Sequence, residues 1–397
     1  MAKIIAHIDL NAFFVRAEEL RNPYLENKPV IVGGDGRSGI VSTCSYAARK
    51  FGIHSGMPTF KAKELCPSVI IIPVDFNYYE VLSIEFIQLI KSYTPLVEQT
   101  SIDECFADFT DAIKNVANPF EYFKGIQMDL FKKTGLKCSI GISTTKFLAK
   151  MGSDLKKPMG ISILKRADIK DKLFPLPVGS YFGIGKATAP KLIEHNIKTI
   201  KDLYTAIVSK DEFIMKFYGE YTKDITNALE GRTDNTVITG YYDNQQSISN
   251  RTTLPYDIDN IDEIKDYLFD CFDYVFSKFL ELQMFTEEIT ISYRYTDFTT
   301  QTCAQKLKFA TDDKLLLKDE LNKLVDRSYN KKPIRQIGVI LSKFTEKSDS
   351  MTQMTLFNYK YYEEKDQTKT IIDSFNKDIN DATCKLKRTS ELLKKNK

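Results

Sequence analysis

A decapeptide, TSIDECFADF (Thr100–Phe109), sets the strongest condition on how this chain can fold. Ile102, Cys105, Phe106 and Phe109 are the residues of a strand packed against a core, yet Asp103 and Glu104 stand side by side among them. Buried carboxylates are costly unless a positive charge neutralises them, and the decapeptide holds no lysine or arginine. The neutralising charge must come from elsewhere in the chain or from a metal. A third carboxylate is placed to join the pair: Asp9 lies near the end of KIIAHIDL (3–10), a β-branched run that reads as a buried strand.

If the two strands are neighbours, Asp9, Asp103 and Glu104 converge. Such a cluster repels itself by several kcal/mol, to order of magnitude, unless divalent cations lie within it. Oxygen-only ligands favour Mg²⁺ or Mn²⁺ over Zn²⁺. Two such ions about 3.5–4 Å apart form the clamp used for in-line displacement at phosphorus. The plainer alternative is three strand-end acids paired with arginines, and spacing alone leaves it open.

The 397 residues suffice for two to four domains, and a net charge of +3 neither requires nor excludes a polyanionic partner, because local patches decide such binding. Seven cysteines (44, 66, 105, 138, 271, 303 and 384) are scattered without a CxxC pair, which argues for a reducing compartment and against a zinc or disulfide framework. MAKIIAHIDL lacks the build of a signal peptide, and no run approaches the ~18 apolar residues of a membrane span. The expectation is a cytoplasmic protein with no membrane segment.

Along the chain, VIVGG (30–34), GIVSTCS (39–45), VEQTSIDECFADFT (97–110) and LKCSIGIS (136–143) read as strands. Residues 46–52, 59–66 and 77–93 read as helices, as does TTKFLAKMGSDLK (144–156), on which Lys150 and Asp154 are four apart. This mixture suggests an α+β domain ending near residue 163. Short helices and glycine turns occupy 164–230, and 231–243 reads as a linker. From 244 to 348 the order is β-α-β-β-α-β, the split-βαβ arrangement of a separate small domain. A polar, lysine-rich tail (349–397) follows.

Four segments carry a resemblance. HIDLNAFFVRAEEL, VSTCSYAARKFGIHSGMP, SIDECFADFT and IGISTTKFLAKMGSDLKKPMGI are similar, in order and spacing, to the signature segments of the Y-family DNA polymerases. The nearest likeness is to the bacterial DNA polymerase IV type, which copies damaged templates, and it extends over roughly residues 1–345. The resemblance implies a right-hand polymerase with palm (1–10 and 75–163), fingers (11–74), helix-hairpin-helix thumb (164–230) and split-βαβ little finger (244–348). It implies that Asp9, Asp103 and Glu104 are the catalytic metal ligands, with the backbone carbonyl of Leu10 as a fourth, holding two Mg²⁺ ions for which Mn²⁺ can substitute. Asn11 stands where many relatives carry a second aspartate that is not counted as a ligand.

By the same resemblance Phe13 and Phe14 border the incoming nucleotide. Phe14 is the steric gate that excludes a ribose 2′-hydroxyl. Thr43, Tyr46 and Arg49 face the triphosphate, Lys157 its β and γ phosphates, and Ile40 and Ser42 roof the nascent base pair. FGIGK (182–186) looks like a helix-hairpin-helix turn, in which Gly183 and Gly185 let backbone N–H groups approach a DNA phosphate beside Lys186.

Residues 244–348 hold 15 Lys and Arg against 17 Asp and Glu, but the acids crowd the helices. Arg251, Arg294, Lys306, Lys308, Arg335 and Lys343 lie on the strands, so a basic sheet face can rest on DNA phosphates without reading sequence. QMTLF resembles the peptide by which bacterial polymerases dock on the sliding clamp, through Gln353, Met354, Leu356 and Phe357.

The implied function is template-directed insertion of dNTPs opposite damaged or undamaged template. The primer 3′-hydroxyl attacks the α-phosphate, at low fidelity and without proofreading, in translesion synthesis during DNA repair. The implied partners are primer-template DNA, dNTP and clamp, for a monomeric enzyme. Two alternatives carry different expectations. A catalytically retired polymerase serving as a clamp-bound adaptor would have lost metal ligands, and a nucleotidyl cyclase would not explain FGIGK, the split-βαβ domain or QMTLF.

Overall fold

The run that carries Asp9 becomes β1 (Ile5–Leu10), buried at all six positions, in a computed structural model that describes residues 3–240 and 244–346. After it come α1 (Phe13–Arg21), β2 (Val30–Gly33), β3 (Val41–Cys44), α2 (Tyr46–Arg49), α3 (Thr59–Leu65) and β4 (Ile70–Ile72). The chain continues through α4 (Phe76–Lys91), β5 (Val97–Gln99), β6 (Glu104–Asp108), α5 (Pro119–Thr134), β7 (Cys138–Ser143), α6 (Lys146–Asp154) and β8 (Ile161–Ile163). Four further helices, α7 (Ala189–Glu194), α8 (Ile200–Val208), α9 (Glu212–Tyr218) and α10 (Tyr221–Leu229), complete the first of two units, which divide at Asn244/Gln245.

The central sheet has the order β5-β6-β1-β7-β8, with β1 antiparallel to both neighbours. Because side chains alternate along a strand, Ala6, Ile8 and Leu10 enter one core with Tyr79 and Phe86 of α4 and Phe123 of α5. Ile5, His7 and Asp9 face the other way, toward α6. That helix lies very close to the sheet. A Cβ on Gly141 of β7 would sit 2.0 Å from the Ala149 carbonyl oxygen and 2.2 Å from the Ser153 nitrogen, so only glycine permits the approach.

A smaller sheet, β3-β2-β4, packs Ile31, Val41 and Cys44 against Ala48 of α2 and Ala62 of α3. Helices α7 to α10 build their own core around Leu192, Leu203, Ile214 and Ile225, which also takes in Leu148 and Met151 of α6. Residues 231–240, expected to be a linker, lie along the first unit. Lys3 Nζ reaches the Asn235 carbonyl at 3.2 Å, the Ile238 N–H donates to Glu98 at 2.9 Å, and Val237 packs with Ile5 and Ala149.

Two helices, α1 and α5, add to those expected. All the sequence signals are present for α5: Asn118 caps it through the N–H groups of Phe120 and Glu121, Pro119 opens it, and Gly135 closes it at φ 72°. By contrast α1 has no capping side chain and starts from Ala12, a non-glycine residue at φ 47°. Only the packing of the Phe13–Phe14 pair marks its start.

The second unit contains β9 (Ser247–Ile258), α11 (Ile261–Glu281), β10 (Met284–Tyr295), β11 (Thr300–Thr311), α12 (Lys314–Ser328) and β12 (Ile334–Glu346), the β-α-β-β-α-β order read from the sequence. Its antiparallel sheet runs β11-β10-β12-β9. Ile289, Ile291 and Tyr293 of β10 turn toward Phe272 and Phe279 of α11 and Leu321 of α12, so that among the described residues of this unit both helices lie on one face of the sheet. Among the described residues no helix is long and apolar enough to cross a membrane.

Candidate active site

Strand pairing brings the acidic residues together. Asp9 lies directly opposite Glu104 in the β1–β6 register, and the Leu10 N–H donates to the Asp103 carbonyl at 2.9 Å, extending the pairing into the turn that holds Asp103. Ser101 Oγ donates to Asp103 Oδ1 at 2.6 Å, and Thr100 Oγ1 donates to Glu104 Oε1 at 3.3 Å. Arginines do not balance these charges. Lys150 of α6 sits between two of them, 3.2 Å from Asp9 Oδ2 and 2.5 Å from Glu104 Oε2, and Lys157 lies 2.7 Å from Asp9 Oδ1.

The helical pairing of Lys150 with Asp154 expected from their spacing is not formed. Asp154 pairs instead with Lys157 at 2.8 Å. The close seating of α6 on Gly141 turns Lys150 inward to the sheet, where buried Asp9 and partly buried Glu104 compete better than one half-exposed aspartate. Burial by itself would lower the Lys150 pKa, but Asp9 and Glu104 outweigh it and raise it. Glu104 is held well below the usual carboxylate range by His7 and, against the cost of burial, by Lys150. Asp103 moves the other way: burial, and then the charges of Asp9 and Glu104, push it up despite the Ser101 hydrogen bond.

His7 was not singled out by the sequence, although its position two residues before Asp9 puts it on the same face of β1. It is fully buried, its Nδ1 lies 2.8 Å from Ser153 Oγ, and its ring packs 4.7 Å from that of Phe106. Its Nε2 is 3.3 Å from Glu104 Oε2 without hydrogen-bond geometry, and burial lowers its pKa. His7, Asp9 and Glu104 each offer a ligand atom, all within 4.8 Å of one another. A buried, mostly oxygen donor set whose charge is balanced by movable ammonium groups fits a hard divalent cation.

In front of the carboxylates lies a cleft of about 230 Å³. Asp9, Leu10, Phe13, Phe14, Ser42, Thr43, Tyr46, Arg49, Asp103 and Lys157 all line it, together with Asn11, Ala12 and Ser55. Phe14 stacks on Tyr79 with ring centroids 4.4 Å apart and planes at 14°, and Tyr79 is itself fixed by donating to Glu18 at 2.7 Å. Phe13 is 3 % exposed, a core residue that also borders the cleft. Ser45 caps α2 through the Ala48 N–H, which sets Tyr46 and Arg49 on one face, the guanidinium 4.7 Å from the phenol ring. Glu104, opposite Asp9 on the neighbouring strand, is not among the lining residues, and Ile40 is also outside the lining, bridged to Pro58.

Asn11 has a structural task that its place in the sequence did not reveal. Its side chain accepts from the Met159 N–H at 2.7 Å and exchanges hydrogen bonds with Ser139, tying the loop that carries Lys157 to the end of β1. Gly183 occupies a left-handed turn at φ 104°, and Lys186 Nζ lies 2.9 Å from His54 Nδ1. In the second unit, Arg251, Arg294 and Lys306 fall by register on the sheet face away from the helices. That face is less uniformly basic than expected: Glu288, opposite Lys306, pairs with Lys343 at 2.5 Å. Gln353, Met354, Leu356 and Phe357 lie outside the described residues.

Comparison with known proteins bears directly on this arrangement. Residues 8–154 match the impB/mucB/samB family, residues 245–356 its C-terminal domain, and residues 166–197 the helix-hairpin-helix motif of the same family. The chain belongs to this family, that of the Y-family DNA polymerases. Among its relatives is DNA polymerase IV of Bacillus velezensis, 36% identical over 361 residues, covering 90% of this chain and 86% of that protein. DNA polymerase IV 1 of Bacillus subtilis is 34% identical, with 99% and 94% covered. A solved Y-family DNA polymerase chimera of Dbh and Dpo4 matches with a TM-score of 0.76 at 27% identity, over 86% of this chain and 99% of that one. The fold is thus that of the right-hand polymerases with palm, fingers, thumb and little finger.

Proposed function

We propose that this protein is a translesion DNA polymerase that adds dNTPs to a primer 3′-hydroxyl on a DNA template, damaged or undamaged. The observation that carries the reading is the meeting of Asp9 and Glu104 across paired strands, with Asp103 beside them, at the back of a cleft walled by Tyr46, Arg49 and Lys157. In this reading residues 1–10 and 75–163 are the palm, 11–74 the fingers, 164–230 the thumb and 244–348 the little finger. The enzyme acts as a monomer in the cytoplasm.

Asp9, Asp103, Glu104 and the Leu10 carbonyl would hold two Mg²⁺ ions, which when bound activate the attacking hydroxyl and offset charge on the phosphates. The chain's own residues do the positioning. Tyr46 offers a hydroxyl and Arg49 a planar fork of donors suited to a polyphosphate. Lys157, shared between Asp9 and Asp154, supplies the ammonium group that a triphosphate in the cleft can recruit. Phe14, braced by Tyr79, closes the side of the cleft against a 2′-hydroxyl and so selects deoxyribose by exclusion. Ser42 roofs the base pair with a small side chain. The family resemblance adds low fidelity and the absence of proofreading, and it assigns QMTLF to the sliding clamp.

Primer extension on a DNA template with Mg²⁺ tests the reading. Wild type should add dNTPs, while Asp103→Ala should bind the same DNA and add none. A wild-type protein that binds primer-template but extends nothing would make the adaptor reading the correct one. The clamp assignment is tested separately, by comparing the affinity of wild type and of Leu356→Ala/Phe357→Ala for the clamp; equal binding removes it.

A further inference from the structure

The hairpin between β10 and β11 contains a residue that the turn itself does not want. The Tyr295 N–H donates to the Thr299 carbonyl and the Phe298 N–H to the Tyr295 carbonyl, so Thr296, Asp297 and Phe298 form a three-residue loop. Asp297 braces it by accepting from the N–H and the hydroxyl of Thr299, at 2.8 Å and 2.6 Å. Loops of this kind put their last residue in the left-handed region, and glycine is the residue that fits there. Here the position is Phe298, at φ 66°, and its ring is 58 % exposed. A bulky side chain in that conformation is strained, and an exposed ring gains little burial in return.

The ring's neighbours point to a ligand. The Arg294 guanidinium lies 5.2 Å from its centroid and that of Arg335 lies 5.1 Å from it. Arg294 Nε is buried and has no hydrogen-bond partner. An aromatic face at the hairpin tip, the guanidinium groups of Arg294 on β10 and Arg335 at the start of the neighbouring β12, and a buried donor without an acceptor form a site for a flat π-system beside a phosphate. A nucleobase with its backbone has this chemistry.

We propose that Phe298, with Arg294 and Arg335, is a stacking site for an unpaired base of single-stranded DNA. The proposal rests on the polymerase reading for its choice of nucleic acid. A base stacked on the ring replaces one guanidinium, which then turns to the adjoining phosphate. The binding is indifferent to base identity, since every base presents a π-face. Paired bases are excluded, because their faces are already covered within the duplex.

The test is Phe298→Asn, which removes the ring but suits the left-handed turn, so the hairpin should keep or gain stability. Affinity for primer-template with an oligo(dT) template overhang should fall about fivefold or more, while affinity for blunt duplex should change much less. The chain has no other tryptophan, so Phe298→Trp introduces a lone indole, whose emission oligo(dT) should quench and blunt duplex should leave unchanged. Overhang binding by Phe298→Asn equal to that of wild type, or indole emission unmoved by oligo(dT), would overturn the site. Wild-type primer extension in the same preparation keeps the two claims apart: extension without these effects defeats only the stacking site, and no extension defeats the reading beneath it.

Discussion

The two units use charge in opposite ways. In the first, three carboxylates and two ammonium groups are concentrated at one end of a sheet, with Asp9 and Lys150 only 12% exposed in their side chains. In the second, Arg251, Arg294 and Lys306 are spread over the sheet face away from the helices, on which Glu288 also lies. Buried charges cost too much to be held without defined partners, so the first arrangement ties each group to named neighbours. Exposed charges such as Arg251 and Lys306 are screened and act nearly independently, so away from the Arg294–Phe298 corner they sum to affinity without fixing a position. Chemistry at one phosphorus atom needs the first kind of site, and a grip on a DNA backbone of any sequence needs the second.

Mutations should separate these modes by size of effect. Asp103→Asn should lower the extension rate by about 10³-fold or more, since a neutral amide cannot take the place of a charged ligand. The same change should stabilise the metal-free protein at neutral pH. The raised Asp103 pKa means that this group favours the fold only while protonated: its contribution is complete below the unfolded pKa of about 3.9 and is lost as pH rises through the folded value. Denaturation curves should therefore show Asp103→Asn above wild type at pH 7, with the difference closing in acid. Glu104 has the reverse sign. Its depressed pKa contributes stability present above about pH 4.3 and lost as pH falls through the folded value, so Glu104→Gln should destabilise at neutral pH.

Lys150→Met should come next. It leaves Asp9 and Glu104 without their shared cation, at a cost of about 3 kcal/mol in chelator, and added Mg²⁺ should recover part of the loss. Thermal unfolding with and without Mg²⁺ measures both values, and an equal loss in the two conditions would mean that the lysine serves only packing. Phe14→Ala should reduce discrimination between dNTPs and rNTPs about tenfold or more, read as the ratio of kcat/KM for the two sugars. The smallest effect should belong to Lys306→Ala: DNA affinity down about two- to threefold, with the salt dependence shallower by about one charge. A tenfold loss from Lys306→Ala, with no change in salt slope, would show that the second unit also holds a fixed polar contact.

Much of this was legible along the chain. The β-branched run KIIAHIDL placed Asp9 on a buried strand, and the acidic pair within TSIDECFADF signalled a site because that stretch could not neutralise itself. The β-α-β-β-α-β order of the second unit followed from periodicity, and Phe14, Thr43, Tyr46, Arg49 and Lys157 do line one cleft. Other features were not readable. His7 looked like an ordinary strand residue, Asn11 like a replaced acid, and residues 231–240 like free linker, because nothing local marks the contacts that define them. Phe298 could not be distinguished from any other aromatic until its φ angle and exposure were known.

Sequence by itself determined which carboxylates to suspect and the strands that carry them, since both follow from residue type and apolar runs. Tertiary structure alone decided what balances them. Lys150 is 141 residues from Asp9 and 46 from Glu104, and it meets both only because Gly141 lets α6 rest against the sheet. The partner of a buried charge depends on distances through space, which spacing along the chain does not encode.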